Sequence, residues 1–502
     1  MMPARDTPVA VSLDWLLDGL VECPDAPAVD VQGLRHDSRA VRPGDLFFAF
    51  AGSHSHGMRH AAEAIARGAC AIVYEPAAGG AELAAEISGV PCLPVAGLDQ
   101  TAGLVADRFF GEPSKHLDVI GITGTNGKTS CSHFLAYALG KPAAVIGTLG
   151  WGLPDALRPT AHTTPDALEV HALLAQLRGQ GIRAVAMEAS SHGLTQGRLN
   201  GVRLKGGLFT NLSRDHLDYH GSMEAYLEAK LRLVTWPGLE FIAFNLDDAS
   251  AQAIVDRLPA GIRKIGFSLN PAPSAPSAGM EFVSASEIRH TADGVSFLAQ
   301  FGQSTAPVAA PVYGDFNVEN LLACLAVLLG KGLDLEDAAQ RMARVRAVAG
   351  RMERFAGGAT VVVDYAHTPD ALAKALSSLR RHCEGALWVV FGCGGNRDRG
   401  KRPQMGANAE KLADRVVVTD DNPRHEDGDV IIAEILAGCR RKDIVVMRDR
   451  RAAIAWTIEN AAVGDVVLVA GKGHESTQEI RGIKHPFSDR DVVRNLSRLR
   501  DG

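Results

Sequence analysis

Apolar residues along this chain gather in short runs that stop at polar clusters. "DVIGIT" (118–123) is a β-branched run of the kind that forms a buried strand, and "KTSCSHFLAYAL" (128–139) behind it has helical spacing. "IRAVAMEASSHG" (182–193) predicts a strand running into Glu188, Ser190, Ser191 and His192. "GGLFTNLSRDHLDYHG" (206–221) predicts another, followed by Asn211, Asp215, His216, Asp218 and His220. "VYGDFNVENLLACLAVLLG" (312–330) reads as a turn leading into a strongly apolar helix. In the C-terminal third, "TVVVDYAHTPDAL", "ALWVVFGCGGNRDRGKRP", "RVVVTDDNPR", "DIVVMRDR" and "DVVLVAGKGHE" are strand-like runs separated by helix-like segments. That alternation predicts a doubly wound α/β domain.

Four of these C-terminal runs end in chemistry: Asp364 and His367; Asn396, Arg397 and Asp398; Asp421, Asn422 and Arg424; Lys472, His474 and Glu475. A surface loop can carry one such cluster by chance. Four on one sheet edge predict a ligand crevice, because open parallel sheets bind ligands beyond the carboxyl ends of their strands. The Pro/Ser/Ala-rich "NPAPSAPSAG" (270–279) looks like a boundary, but the apolar helix that follows makes it a loop within a central domain. The boundary is expected near "RVRAVAGRMER" (344–354), and no internal repeat is evident.

At 502 residues the chain is long enough for two to four domains. A net charge of -6 gives no electrostatic reason to expect nucleic acid or an anionic membrane as partner. The eight scattered cysteines form no Cys-x-x-Cys pair and read as reduced, mostly buried thiols. Asp14 and Asp18 interrupt "VSLDWLLDGL", which therefore lacks a signal peptide's apolar stretch, and no apolar run reaches membrane-spanning length. A cytoplasmic location is the expectation.

"TGTNGKTS" (123–130) sits between the first strand and its helix, where backbone N–H groups and a helix N-terminus face phosphate oxygens. It departs from the usual pattern of a glycine, four residues, then Gly-Lys-Ser/Thr, since that pattern needs glycine where Ile122 stands. In the nucleotide reading Lys128 reaches the terminal phosphates and the Thr129 hydroxyl holds magnesium; in the bland one the glycines only link strand to helix. Glu188 and His216 at neighbouring strand ends suit a divalent metal beside ATP phosphates, although His216 alone reads more readily as a loop histidine.

Together these pieces resemble the Mur ligases, the ATP-dependent amide-forming enzymes of peptidoglycan assembly. The resemblance spans nearly the whole chain and rests on "TGTNGKT", "EASSHGL", "NLSRDHLDYHG", "YLEAK", "GDFNVENLLA", "GRMER", "DYAHTPD", "GCGGNRDRGKRP", "DNPR" and "GKGHE". It implies three α/β domains: a uridine-nucleotide domain over 1–115, a central P-loop ATPase-like parallel sheet over 116–345, and a Rossmann-like doubly wound domain for the amino acid over 346–502. It also explains Ile122, since the first glycine of this family's Thr-Gly-Thr-Asn-Gly-Lys-Thr loop sits away from the usual place. The long segment before the loop, with "HDSRAVRPGDLFFAFAG" and "HAAEAIARGACAIVYE", separates the chain from the related folate polyglutamate ligases. "DNPR" with "GNRDRGKRP" resembles the members that add the third amino acid in its meso-diaminopimelate form. His56 before Gly57, His162 before Thr163-Thr164 and Ala349 before Gly350-Arg351 depart from residues frequent in the family.

The resemblance implies that ATP phosphorylates the carboxylate of UDP-N-acetylmuramoyl-L-alanyl-D-glutamate and that the diaminopimelate amine attacks the acyl phosphate. Charge builds on the transferred phosphoryl, so cations and positioning carry the catalysis. By resemblance Lys128, Glu188, His216 and Lys230 are catalytic, and Thr129, Glu188, His216 and a carbamylated Lys230 hold magnesium, two ions in all. Gly124, Thr125, Asn126, Gly127, Lys128, Thr129, Asn317, Asn320, Arg351 and Asp364 would hold ATP. Ser38, Thr163, Thr164, Ser190, Gln196 and Arg198 match positions for the muramoyl-dipeptide, and Arg397, Asp421, Asn422, Pro423, Arg424, Gly471 and Glu475 those for diaminopimelate. Without the resemblance Lys230 reads as a solvated helix lysine, and Arg424 as a partner of Glu426 or Asp427. A monomer is expected. The competing classes are a P-loop phosphotransferase with another acceptor and a catalytically silent nucleotide sensor.

Overall fold

The structure, a computed structural model, describes residues 10–21, 27–52, 55–271, 280–291, 294–355 and 357–500. It divides into two compact units. The first comprises Met1–Ile122, Lys141–Gly207 and Thr235–Glu240; the second comprises Thr123–Gly140, Leu208–Val234 and Phe241–Gly502.

In the first unit, Gly33–Arg35, Asp45–Ala49, Ala71–Tyr74 and Cys92–Pro94 form a parallel sheet in that order. "DLFFA" and "AIVY" are buried throughout, as a sheet covered on both faces requires. Alternation sends Leu46, Phe48, Ala71 and Val73 to one core, with Val105 and Phe109 of the helix Leu98–Phe109, and Phe47, Ala49, Ile72 and Tyr74 to the other. Deeper in the same unit, Ala184–Glu188 lies between Ala143–Gly147 and Asp118–Thr123, parallel to both, so Glu188 ends a fully buried central strand.

In the second unit, Phe241–Asn245, Arg263–Ser268 and Glu281–Thr291 are parallel neighbours, and Gly294–Phe301 and Ser304–Ala310 extend them antiparallel. The connection read as an internal loop therefore joins two paired strands; its residues 272–279 lie outside the described residues. The helix Asp315–Gly330, with a continuous run of buried residues from Asn320 to Leu329, packs on these strands and on Lys128–Ala138. The C-terminal sheet has the order Glu353–Phe355, Thr360–Asp364, Val466–Ala470, Leu387–Phe391, Arg415–Val418, Val445–Val446. All five strands read from the sequence are present and parallel, with apolar cores on both faces. Glu353–Phe355 adds an antiparallel edge that its polar sequence did not announce. Strand 466–470 returns between 360–364 and 387–391, which makes their carboxyl ends a switch point of the kind where α/β sheets bind ligands.

Seven cysteines lie among the described residues, all free. Only Cys131, Cys324 and Cys393 are buried, which corrects the expectation that most would be: the other four sit half-buried at element ends. Cys23 lies outside the described residues. Among the described residues no helix is long and apolar enough to cross a membrane.

Candidate active site

The strand Asp118–Thr123 is buried to its end, and Ile122 is part of it, so the turn begins only at Gly124. The two loop glycines are required by shape. Gly124 has φ +139° and a Cβ there would lie 1.9 Å from the Thr210 Oγ1; Gly127 has φ +88° and would meet the Asn320 Oδ1 at 2.5 Å. The end of the strand Gly206–Phe209 grips the loop. Thr125 N–H donates to the Asn211 carbonyl and Asn126 N–H to the Asn211 Oδ1, both at 2.9 Å, while the Thr210 hydroxyl donates to the Asn126 carbonyl at 2.6 Å. Lys128 Nζ turns back onto the carbonyls of Gly124 (2.7 Å) and Thr125 (2.8 Å).

Thr129 is buried, and its hydroxyl accepts from Arg351 Nη2 at 3.2 Å. The Arg351 guanidinium is 4.2 Å from the centroid of the Tyr365 ring, a cation–π contact that aims it. Asn320 Nδ2 donates to Asn317 Oδ1 and Asn317 Nδ2 to the Tyr313 carbonyl, so the two predicted asparagines form one chain beside a small cavity lined by Ser130, Phe134, Tyr313, Val348 and Arg351. Asp364 is buried and accepts N–H bonds from Met352 and Ala366, both at 2.8 Å, tying the segment that carries Arg351 to its strand.

Lys230 is 1% exposed, which rules out the solvated helix lysine. One helical turn before it, Tyr226 presents its ring 4.4 Å from Lys230 Nζ. The Nζ donates to the Gly124 carbonyl at 2.8 Å, the same oxygen that Lys128 uses. Burial, reinforced by the Lys128 charge and only partly offset by Asp215, pushes the Lys230 ammonium well below its ordinary value. His216 has φ +53° and donates its backbone N–H to Asp215 Oδ1; its Nε2 and that of His367 lie 3.5 and 3.6 Å from Asp215 Oδ2. Burial alone would raise the Asp215 carboxyl, but the His367 hydrogen bond and the charges of His367, His216 and Lys401 outweigh it and hold it well below the usual carboxylate range.

Asp215, His216 and Asp218 line a pocket of about 120 Å³. The same pocket is lined by Arg397, Asp421, Asn422, Arg424, Gly471 and Glu475, six of the residues expected to take diaminopimelate; Pro423 does not line it. Arg214 clamps Asp398 through two bonds of 2.9 and 3.2 Å, and Arg397 lies 3.5 Å from Asp218. Neither suggested acid pairs with Arg424. Glu426 is taken by the fully buried Arg402, Asp427 caps the helix Gly428–Leu436, and Arg424 Nη1 donates to the Gly395 carbonyl at 2.7 Å with Glu479 3.5 Å from its Nε. Arg424 also has φ +52°, a conformation a β-branched residue would resist.

In the first unit the expected muramoyl-dipeptide residues form a second network. Glu188 accepts from Thr148 N–H and the Thr148 hydroxyl, and Thr148 shares a 3.0 Å hydroxyl contact with Thr163. Thr164 donates to the Glu188 carbonyl and meets Ser190, and Arg198 joins the Thr164 carbonyl to the Gln196 side chain. Ser38 stands apart, hydrogen-bonded to Glu63 at 2.7 Å. Among the described residues no group of three or more His, Cys, Asp or Glu side chains has metal-holding geometry. Thr148, Tyr226, Tyr365 and Lys401 were missed from sequence. The strand-end rule that found Glu188 also reaches Thr148, which follows Ala143–Gly147; the others needed the tertiary fold.

Family models match the chain in three places: the Mur ligase middle domain over residues 122–328, the glutamate ligase domain of Mur ligases over 350–473, and the Mur ligase family catalytic domain over 30–100. A UDP-N-acetylmuramoyl-L-alanyl-D-glutamate–2,6-diaminopimelate ligase from Alkalilimnicola ehrlichii is 47% identical over 491 residues, 96% of this chain and 97% of the relative. The chain belongs to the Mur ligase family. It is thus an ATP-dependent ligase that forms amide bonds, which sets aside the phosphotransferase and sensor readings. A solved structure of a UDP-N-acetylmuramoyl-L-alanyl-D-glutamate–2,6-diaminopimelate ligase is 36% identical, covers 98% of this chain and 100% of that one, and has a TM-score of 0.68. A MurF ligase from Thermotoga maritima, solved in complex with ADP, shares the fold at 16% identity, with a TM-score of 0.63 over 93% of this chain and 97% of that one. The Mur ligase middle-domain match opens on Ile122, the residue that replaces the usual glycine.

Proposed function

We propose that this Mur ligase joins meso-diaminopimelate to UDP-N-acetylmuramoyl-L-alanyl-D-glutamate in peptidoglycan synthesis, acting as a cytoplasmic monomer with domains over 1–115, 116–345 and 346–502. The observation that carries this reading is the convergence of Arg397, Asp421, Asn422, Arg424, Gly471 and Glu475 on one pocket, which Asp215 and His216 also line. Diaminopimelate has a carboxylate at its far end that lysine lacks. An arginine fork matches that group through two parallel bonds and is left unpaired when lysine is offered.

In this reading the loop 124–129, Asn317, Asn320 and Arg351 hold ATP, with Asp364 fixing the Arg351 segment. Lys128 and Arg351 meet charge on the transferred phosphoryl, a role that needs positioned cations rather than covalent chemistry. The phosphoryl passes to the glutamyl carboxylate, the diaminopimelate amine attacks the resulting acyl phosphate, and phosphate leaves as the amide forms. Magnesium suits the donor chemistry of the second unit, where the buried Thr129 hydroxyl is an oxygen ligand beside the glycine loop; Glu188 is the further carboxylate that the family resemblance implies. When bound the metal would neutralise phosphate charge, with His216 and a carbamylated Lys230 as further ligands and two ions in all. The depressed Lys230 ammonium supports carbamylation, because the neutral amine is the form that takes up carbon dioxide. Ser38, Thr163, Thr164, Ser190, Gln196 and Arg198 would bind the nucleotide-linked dipeptide.

The test is phosphate release from ATP with UDP-muramoyl-dipeptide and each diamino acid in turn. Release is expected with meso-diaminopimelate and only weakly with lysine; equal use of both sinks the assignment.

A further inference from the structure

The C-terminal pocket contains two buried charges of opposite sign that the fold leaves unpaired. Lys401 opens the helix Lys401–Leu412 and is 6% exposed; Asp421, beyond the strand Arg415–Val418, is 8% exposed, and both line the pocket. Among the described residues neither the Lys401 ammonium nor the Asp421 carboxylate makes a hydrogen bond or ion pair. Other charges on these walls are occupied. Asp398 is held by Arg214, Glu475 by Lys472 and Asn422, and Arg424 by the Gly395 carbonyl. A buried charge without a partner costs stability, so a pocket that retains one of each sign is arranged for a ligand carrying both.

We propose that Lys401 is a further substrate-binding residue, whose ammonium takes the carboxylate beside the attacking amine of the incoming diamino acid, with Asp421 facing the amino groups. This rests on the assignment of diaminopimelate to the pocket. Position decides which carboxylate. Gly400, immediately before Lys401, donates its N–H to Asp398, which Arg214 clamps, and Ser213 beside Arg214 donates its N–H to the Thr125 hydroxyl, so the segment carrying Lys401 lies on the side of the pocket toward the loop 124–129. Arg424 lies by Gly395 and Glu479 and is left to the far carboxylate. The first turn of the helix 401–412 adds its positive end on the same side as Lys401. The two cations therefore divide the work: Arg424 distinguishes diaminopimelate from lysine, whereas Lys401 recognises the carboxylate that both share.

Three amines separate these roles: meso-diaminopimelate, lysine, which lacks the far carboxylate, and 1,5-diaminopentane, which lacks both. Lys401→Met should raise the KM for diaminopimelate and lysine by about 30-fold or more, the lower end expected when a desolvated charge pair is lost. It should leave diaminopentane, the diaminopimelate-to-lysine preference and the KM for ATP unchanged. Arg424→Ala should instead erase the preference. Unchanged KM values for both amino acids, an equal loss with all three amines, or a rise confined to ATP would overturn the role of Lys401. If Arg424→Ala still erases the preference in that event, the pocket remains the diaminopimelate site; if neither variant alters amino-acid kinetics, both assignments fall. Because the Lys401 charge also offsets that of Asp215, the melting temperature of Lys401→Met is measured beside its kinetics. Should it fail to fold, Lys401→Arg keeps the charge and must keep the discrimination between lysine and diaminopentane; its loss there also overturns the proposal.

Discussion

The glycine loop 124–127 satisfies two lysines with its own backbone: Lys128 and Lys230 both donate to the Gly124 carbonyl, and Lys128 to Thr125 as well. A short distance away in the same unit, the pocket at the C-terminal sheet leaves Lys401 and Asp421 facing open space. Both regions stand at the carboxyl ends of parallel strands, yet they treat charge differently. A loop that meets phosphate must hold its cations in one place before any ligand arrives, since positioned charge is what phosphoryl transfer requires. A pocket that chooses among amino acids gains more from charges that only the right ligand can pair, because the wrong one leaves them buried and alone.

The largest effects should come from the loop. Lys128→Ala is expected to lower turnover by at least roughly 10²–10³-fold, the cost of losing one preorganised charge-stabilising donor. Binding of the uridine nucleotide, followed by calorimetry, should stay nearly intact; equal loss of both in a folded variant would contradict a separate nucleotide site. Lys230→Ala should also lose most activity, and if the proposed carbamate is the metal ligand, short carboxylic acids should restore part of it. Independently of activity, ¹³C-bicarbonate should give a carbamate carbon signal in the parent that Lys230→Ala lacks; normal activity without that signal returns Lys230 to a purely structural part.

In the pocket, Arg424→Ala should raise the KM for diaminopimelate about 30-fold or more, the lower end for a lost desolvated charge contact. The constants for ATP and UDP-muramoyl-dipeptide should barely move, and a retained preference over lysine would show that the pocket does not select through this residue.

The smallest effect belongs to a charge pair outside both regions. His36 lies 3.3 Å from Asp166, with side chains 46% and 37% exposed. The Asp166 hydrogen bond raises the His36 imidazolium above its ordinary value. A raised histidine contributes stability that is complete below the unfolded value near 6.5 and is lost as pH climbs through the folded one. Unfolding free energy should therefore fall slightly between pH 6 and 8, by under about 0.5 kcal/mol after screening, and the melting temperature with it. Asp166→Asn, which keeps the helix cap that Asp166 gives Leu168 and Glu169, should flatten that slope; an unchanged slope would assign it to another group.

What the sequence by itself determined was periodic or local. Runs such as "VIGI" and "VVLVA" are apolar at every position because both faces of a parallel sheet are covered, so strands, order of elements and strand-end clusters were legible. Gly124 and Gly127 were legible too, since a left-handed turn before a lysine has few other meanings. The partners of the charged residues belonged to the tertiary structure. Lys230 and Lys401 look alike in sequence, each a lysine on a polar helix; folding buries both, giving one a carbonyl and a tyrosine ring and the other a pocket. Arg424 has acids two and three positions away, and the fold gives those to Arg402 and to a helix N-terminus. Such pairings join residues tens or hundreds of positions apart, as between Arg214 and Asp398, and electrostatic energy depends on distance and burial, which only the folded chain sets.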